Sequence, residues 1–390
     1  MKVIYLTAFE FNGSNAASKR VINNINALTN QGMNVTVLSA GSFKSFEELN
    51  KIKRPFKSIC IYEKPSNHKE KLTLFDRFLG IFKVFSLLKE SKDITHIILY
   101  SGYSPYAFML LILRQFKKFK IIFDSVEWYL PNHALDVLSL KNIDSNLANR
   151  FLLHYFDGIF AISKYLEDHF KKGIFLTKKA KILLLPPLIE EKEYLQKDLI
   201  LNNGLELVYA GNIGPNKDRL ENVFKALFLL LDEGYQIKFT LVGDNEENLS
   251  KIEYYVLVKG HFPESLKVIN KNISLEESER LIKDAHYVIY FRNENRISLA
   301  GFPTKFVESL SCSTPVITNS IGDIGGYLLH KKNGLIAENN FEEIKQILLI
   351  AIHMSNKEYQ KLSESAHKTS LKFAYQNYEK EIKNFLEELN

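Results

Sequence analysis

Two cysteines stand in a chain of 390 residues, Cys60 and Cys312, far apart and in no metal-binding spacing. That excludes a disulfide-stapled fold and a cysteine-built zinc site, and it points to a reducing compartment. No run reaches the ~18 apolar residues that a membrane-crossing helix needs. The apolar stretch at residues 1–9 is too short for a secretory signal, lacks a cleavage region, and reads instead as a first strand. Basic and acidic residues nearly balance, 51 against 45, for a net charge of +6. The lysine clusters Lys117-Lys118-Lys120, Lys171-Lys172 and Lys178-Lys179-Lys181 have no aromatics interleaved, so nucleic acid is not an expected partner. They read either as solvated faces or as a basic surface toward anionic lipid or a diphosphate-linked acceptor. A G-x-S-x-G elbow, a Walker lysine loop and a two-metal constellation are all missing. The loop Gly13-Ser14-Asn15 is not G-x-G-x-x-G, and no acidic residue ends a second strand about 20 positions on, which disfavours NAD.

What is present is globular and α/β. Hydrophobic residues make up 46% and charged residues 25%, the balance of a soluble protein long enough for two domains with proper cores. Short apolar runs at 3–7, 35–39, 59–62, 97–100, 121–123, 159–162 and 182–185 alternate with helical patterns such as 16–29 (closed by Gly32) and 105–116. Alternation of this kind predicts a parallel sheet covered on both faces. Pro186-Pro187 and the charged stretch after it break the pattern. It restarts at 207–211, continues through a helix near 221–231, and gives strands at 239–243, 268–269, 288–290 and 316–318. The expected organisation is residues 1–187 as one doubly wound domain, 188–204 as linker and 205–374 as a second such domain. A helix over 375–390 closes the second domain or crosses back to the first. Ligands in such sheets sit at the carboxyl ends of the strands.

The most informative segment is 296–318, which reads as loop, glycine, short helix, breaker and strand. Gly301 and Pro303 lead a helix whose free N–H groups and positive dipole end suit a diphosphate. Lys305 and Glu308 follow three apart on one face, and Arg292 and Arg296 lie in the preceding loop with the fork geometry that grips phosphate. The turn after residues 207–211 delivers Lys217 to a helix mouth, a natural point charge for a diphosphate. Beyond the strand at 121–123, Asp124, Glu127, Trp128 and His133 form a cluster of acid, aromatic and imidazole. It is either a substrate site, with Trp128 stacking on a sugar face, or an ordinary capping loop. The amphipathic, phenylalanine-rich stretch 72–88 either touches a membrane or lipid acceptor or packs on its own sheet.

These residues resemble the GT-B retaining glycosyltransferases usually called family 4, or group 1, over nearly the whole chain. The likeness is strongest in 296–318, in 207–218 and in the turn Asn333-Gly334-Leu335-Ile336. It implies two Rossmann-like domains facing across a cleft, with the nucleotide-sugar donor in the second, the acceptor in the first, and neither metal nor cofactor. By position it assigns Glu308 to the donor ribose, Lys217 to the phosphate and Gly13 to the first-domain loop near that phosphate. Gly301, Phe302, Pro303 and Thr304 become the backbone segment around donor sugar and diphosphate. The sequence departs from the family where the first motif glutamate is Ala300, where the arginine paired with the lysine is Asn212, and where the acceptor-side histidine is Asp124. Arg292, Arg296 and Lys305 then stand as substitutes for the phosphate charge.

The resulting expectation is a retaining, metal-independent transferase moving a hexose or N-acetylhexosamine from a nucleoside diphosphate sugar, UDP favoured, to a glycan. Asp124 and Glu127 are the catalytic candidates, and Trp128 and His133 the acceptor-side ones. A composition rich in Lys, Asn, Ile and Phe associates it with bacterial surface polysaccharide (capsule or O-antigen). The acceptor would be lipid-diphosphate-linked, and the enzyme cytoplasmic or peripheral on the inner membrane face. Two rivals remain: a sugar-nucleotide epimerase on the same two-domain plan, and a non-catalytic binding or scaffold subunit of a polysaccharide assembly complex, for which Ala300 and Asn212 speak.

Overall fold

The structure, a computed structural model, describes residues 1–9, 11, 15–39, 55–62, 74–131, 134–172, 180–196, 204–211, 213, 218–243, 246–269 and 273–390. The chain divides into two compact units, Met1–Glu190 with Tyr375–Asn390, and Glu191–Ala374.

The first unit is built on seven strands, β1 (Lys2–Thr7), β2 (Asn34–Ser39), β3 (Lys57–Cys60), β4 (His96–Tyr100), β5 (Lys120–Ser125), β6 (Gly158–Ala161) and β7 (Lys181–Leu184). They lie in the order β3-β2-β1-β4-β5-β6-β7, and every pair is parallel. Helix α1 (Ala16–Asn30) connects β1 to β2. Asn15 caps its start by accepting from Ser18 N at 2.7 Å, and Val21, Ile25 and Leu28 form its buried stripe. It ends at Gly32, whose φ of +75° lets Met33 N reach back to Leu28 O, a left-handed stop that glycine takes without strain.

From β3 the chain crosses to the other side of β1, and helices α2 (Leu74–Glu90), α3 (Ser104–Leu113), α4 (Leu140–Arg150) and α5 (Lys164–Lys172) follow in turn. Because such crossovers are right-handed, α1 covers one face of the sheet and α2–α5 the other. The side chains agree. Alternate strand residues Val3, Tyr5, Ile98, Ile122 and Phe160 join α1 in one core cluster. From β5, Phe123 points the opposite way, to Phe156 at 5.7 Å and to Phe170 of α5 at 6.1 Å.

The closing helix of the chain joins the α1 face. Its buried Ile382, Phe385 and Leu386 lie in the same cluster as Val21 and Ile25. A Cβ at Gly158 would sit 2.7 Å from the Phe385 ring and 2.9 Å from Leu389, so glycine on β6 is what lets this helix approach. Of the two places open to the segment from 375 onward, it takes the one in the first unit. Leu188 also packs there, two residues short of the passage into the second unit.

In the second unit, β8 (Leu205–Ala210), β10 (Ile237–Val242), β11 (Leu266–Ile269), β12 (Tyr287–Ile289), β14 (Val316–Thr318) and β15 (Gly334–Ile336) run in the order β11-β10-β8-β12-β14-β15, all parallel. A separate antiparallel pair, β9 (Asp218–Arg219) with β13 (Phe291–Arg292), lies beyond the ends of β8 and β12. Among the described residues no helix is long and apolar enough to cross a membrane, and no cluster of histidine, cysteine and carboxylate residues could hold a metal ion.

Candidate nucleotide-sugar site

The β9–β13 pair sets Arg292 opposite Asp218 in register, and this two-residue ladder organises the site. Asp218 Oδ1 accepts from Arg292 Nε at 2.8 Å. Its Oδ2 accepts from Tyr209 Oη at 3.0 Å and from the Lys305 ammonium. The carboxylate is 3% exposed, the lysine 12% and the arginine 13%. Lys305 also lies over the Tyr209 ring, 4.2 Å from its centroid, a cation–π contact that strengthens as water is excluded. Gly211, with φ of +153°, makes room for it, since a Cβ there would come 2.6 Å from Lys305 Nζ.

The charges do not cancel. Burial pushes the Asp218 carboxyl up, but Lys305 and Arg292 together outweigh it and hold the group well below the usual carboxylate range. Burial pushes the Lys305 ammonium below the ordinary lysine value, Asp218 opposes that, and Arg292 adds to it. One carboxylate in direct contact with two cations leaves positive charge that Asp218 alone does not answer, offset in part by Glu308 near Lys305, and cations so placed in a largely desolvated site favour an anion. Arg292 is fixed at the backbone as well, because Asn319 Oδ1 accepts from its N–H at 3.0 Å and Asn319 Nδ2 donates to its carbonyl at 2.7 Å.

Lys305 rides on the short helix Thr304–Ser311. Pro303 stands at its N-cap without a side-chain hydrogen bond, leaving no side-chain cap on the first-turn amides. The preceding turn Arg296–Ala300 ends at Gly301. Phe302 anchors the loop between them by packing edge-on against Tyr327 at 6.0 Å and Phe373 at 5.6 Å. Glu308 is half-buried on the same helix, close enough for its charge to raise the Lys305 pKa. Of the expected donor residues, Arg292 and Lys305 meet Asp218 directly and Glu308 lies near Lys305; Arg296, Gly301, Phe302, Pro303 and Thr304 fall on the segment between Arg292 and Lys305. Gly13, Asn212, Lys217 and His133 lie outside the described residues.

In the first unit the geometry corrects two expectations. Asp124 faces inward from β5 and is 0% exposed. Its Oδ1 accepts from Arg20 Nη2 at 2.7 Å and Nε at 3.0 Å, and its Oδ2 accepts from Tyr5 Oη. Arg20 Nη1 goes on to the carbonyls of Leu185 at 3.0 Å and Pro186 at 3.1 Å. A carboxylate this fully engaged positions α1 and the end of β7, where an open one facing substrate had been expected. Trp128 has no open face for a sugar. Its ring packs on His169 at 4.3 Å and its indole N–H donates to Asn146 at 3.2 Å. Glu127 stands half-buried in the loop after β5. Reading the sequence missed Arg20, Tyr5, Asp218 and Asn319. Only Asp218 carried a signal, as the residue immediately after Lys217.

Residues 190–369 match the family model described as "Glycosyl transferases group 1". The uncharacterized glycosyltransferase MJ1178 of Methanocaldococcus jannaschii is 26% identical over 357 residues, covering 90% of this chain and 89% of that protein. Among solved structures, Anabaena HepE in complex with UDP aligns over 100% of both chains with a TM-score of 0.72 at 14% identity. Sucrose-phosphate synthase of Thermosynechococcus elongatus aligns over 100% of this chain and 99% of its own, also at 0.72 and 14%. HepE has further been solved with UDP-glucose. Two parallel-sheet Rossmann-like units give this chain the GT-B fold of these solved structures, and its second unit is similar in sequence to the group 1 glycosyltransferases.

Proposed function

We propose that the chain transfers a hexose or N-acetylhexosamine from a UDP-sugar to a glycan acceptor carried on a lipid diphosphate. The configuration at the transferred carbon is retained, without a metal or a resident cofactor. The observation that carries the reading is the charge imbalance at Asp218. Arg292 and Lys305 are largely buried and held in place on the single carboxylate of Asp218, beside an N-terminal helix turn without a side-chain cap. A leaving nucleoside diphosphate gains negative charge as the glycosidic bond breaks. Preorganised cations in a dry site stabilise that change more than they stabilise the bound donor. In this reading Lys305 and Arg292 take the diphosphate together with the Gly301–Thr304 segment, and Glu308 accepts from the ribose hydroxyls. Asp218 keeps the two cations apart from each other and aimed. The UDP complexes of HepE support a uridine donor. The setting proposed is bacterial surface-polysaccharide synthesis at the cytoplasmic face of the membrane.

The test is thermal stabilisation of the full chain by UDP, GDP, ADP and NAD, with Glu308→Ala alongside, since a ligand of the native state raises its stability in proportion to ln(1 + [L]/Kd). Selective stabilisation by UDP, lost in the variant, is the expected result. No shift with any nucleotide at millimolar concentration would sink the donor site and favour a non-catalytic subunit. Turnover of UDP-sugar to an isomeric UDP-sugar without acceptor would favour an epimerase.

A further inference from the structure

The topology of the first sheet marks a ligand crevice between β1 and β4. These two strands are direct neighbours, yet the chain leaves β1 through α1 on one face and β4 through α3 on the other. Connections that part in this way open a crevice beyond the carboxyl ends of the two strands, where parallel sheets bind their ligands. In the second sheet the same point falls between β8 and β12, and there Tyr209 and Arg292 hold Asp218.

Two half-buried rings stand at the crevice of the first sheet: Phe9, two residues past β1, and Tyr100, the last residue of β4. They meet edge to face with centroids 4.9 Å apart. Tyr100 lies opposite Asp124 in register, but its hydroxyl makes no hydrogen bond among the described residues and feels Asp124, Arg20 and Glu127 only through their charge. Burial, with the two carboxylates, pushes its pKa up against the pull of Arg20, so the group stays a neutral phenol that can both donate and accept. Ser101 follows at φ +57°, a strained setting for a residue with a Cβ, and such strain gathers at ligand sites.

The chemistry of this place selects its occupant. The carbon-bound hydrogens of a sugar ring pack on aromatic carbon, and its hydroxyls need neutral donors and acceptors at the edge. An anion is disfavoured. Among the described residues Arg20 is the one cation whose charge acts on the Tyr100 hydroxyl. It is 3% exposed and bound to Asp124 and to two main-chain carbonyls.

We propose that this crevice takes the terminal sugar of the acceptor, and takes it uncharged, its ring against Phe9 and Tyr100 and one hydroxyl bonded to Tyr100 Oη. The inference rests on the transferase reading above for calling that sugar an acceptor. An earlier glycosyl-transfer reaction must then have placed the sugar on its carrier, since a bare lipid diphosphate would bring an anion into the crevice.

The test is saturation-transfer NMR on the full chain in excess UDP. Methyl glycosides of glucose, galactose, mannose and N-acetylglucosamine serve as neutral probes, and methyl glucuronide and methyl galacturonide as anionic ones. Binding of a neutral glycoside, with saturation arriving from aromatic ring protons, and no binding of the uronides is expected. Tyr100→Phe removes only a hydroxyl that the fold does not use. It should leave the melting temperature and the stabilisation by UDP in place and weaken the glycoside about threefold to tenfold, the worth of one hydrogen bond. Phe9→Leu keeps an apolar side chain without a ring and should weaken it severalfold. No binding of any neutral glycoside, equal binding of the uronides, or unchanged glycoside affinity in both variants would each overturn the inference, and stabilisation by UDP in the same samples would leave the donor site standing. Glycoside binding that Tyr100→Phe weakens, in a chain that UDP does not stabilise, would keep the crevice and remove the donor reading.

Discussion

Each unit buries an ion cluster near the carboxyl ends of its strands, and the two differ in stoichiometry. In the first, the Asp124 carboxylate meets a single guanidinium and a tyrosine hydroxyl, and the leftover donors of Arg20 go to two main-chain carbonyls. In the second, the Asp218 carboxylate meets two cations. A closed cluster returns everything it has to the fold. An open one keeps more cation than its central carboxylate meets, so the arithmetic of direct partners separates a structural pair from a binding site even where both are buried. Outer surfaces divide the units again: of fifteen large hydrophobic side chains exposed among the described residues, twelve belong to the first unit.

The largest effect is expected in the closed cluster. Arg20→Leu strands a carboxylate with 0% exposure, and breaking a buried pair from one side costs about 3–5 kcal/mol. Denaturant unfolding of the first unit should show it, while stabilisation by UDP persists in whatever fraction remains folded. The double variant R20M/D124L should recover much of the loss, because an apolar replacement of both partners removes the unmet charge. A single variant as stable as the parent would erase the contrast between the clusters.

Next in size is the open cluster. Lys305→Met leaves Asp218 still paired with Arg292, so unfolding should move little. UDP affinity should fall by about 1.5–3 kcal/mol, the worth of a charge-assisted hydrogen bond, read by titration calorimetry. If unfolding moved as far as in R20L while UDP affinity held, the second cluster would be structural like the first.

The same lysine gives a pH signature. Burial has lowered its pKa below the ordinary lysine value of about 10.4, so it loses its proton earlier than an exposed lysine as pH rises. UDP affinity is therefore expected to be full near neutrality and to decline on the alkaline side, before ordinary lysines titrate. Lys305→Arg should remove that decline. Asp218 works in the opposite direction. Its folded pKa is depressed, so the stability it contributes is present above the unfolded carboxylate value and is lost only as pH falls through the lower folded one.

How much of this was legible beforehand follows from sequence separation. The main-sheet strands of both units except β15 could be read because buried parallel strands are short apolar runs between breakers, and runs such as 35–39 and 316–318 end where β2 and β14 end; the three residues of β15 read as part of a turn. The β9–β13 pair could not, since two residues carry no period. The clusters were hidden by distance along the chain. Asp218 finds Arg292 and Lys305 at separations of 74 and 87 residues, and Asp124 finds Arg20 at 104. A carboxylate at a strand's end reads the same whether it is open or closed, until the topology says which helix crosses above it. Trp128 misled for a similar reason, because His169 comes from α5, beyond both α4 and β6.

The smallest effect tests whether aim matters in the open cluster beyond charge. Asn319 touches neither Asp218 nor Lys305 in any hydrogen bond described here; it grips the backbone of Arg292 at both N–H and C=O. Asn319→Ala keeps every charge and removes that grip, at a cost to stability of about 1 kcal/mol. If the site works by preorganisation, UDP affinity should fall severalfold even though no cation has been lost, because the guanidinium must now be ordered on binding. Turnover should fall more than affinity, since misdirected cations lose more against the developing charge of the leaving group than against the bound donor. Loss of stability with affinity and turnover unchanged would mean that the β9–β13 pair alone holds Arg292 in place.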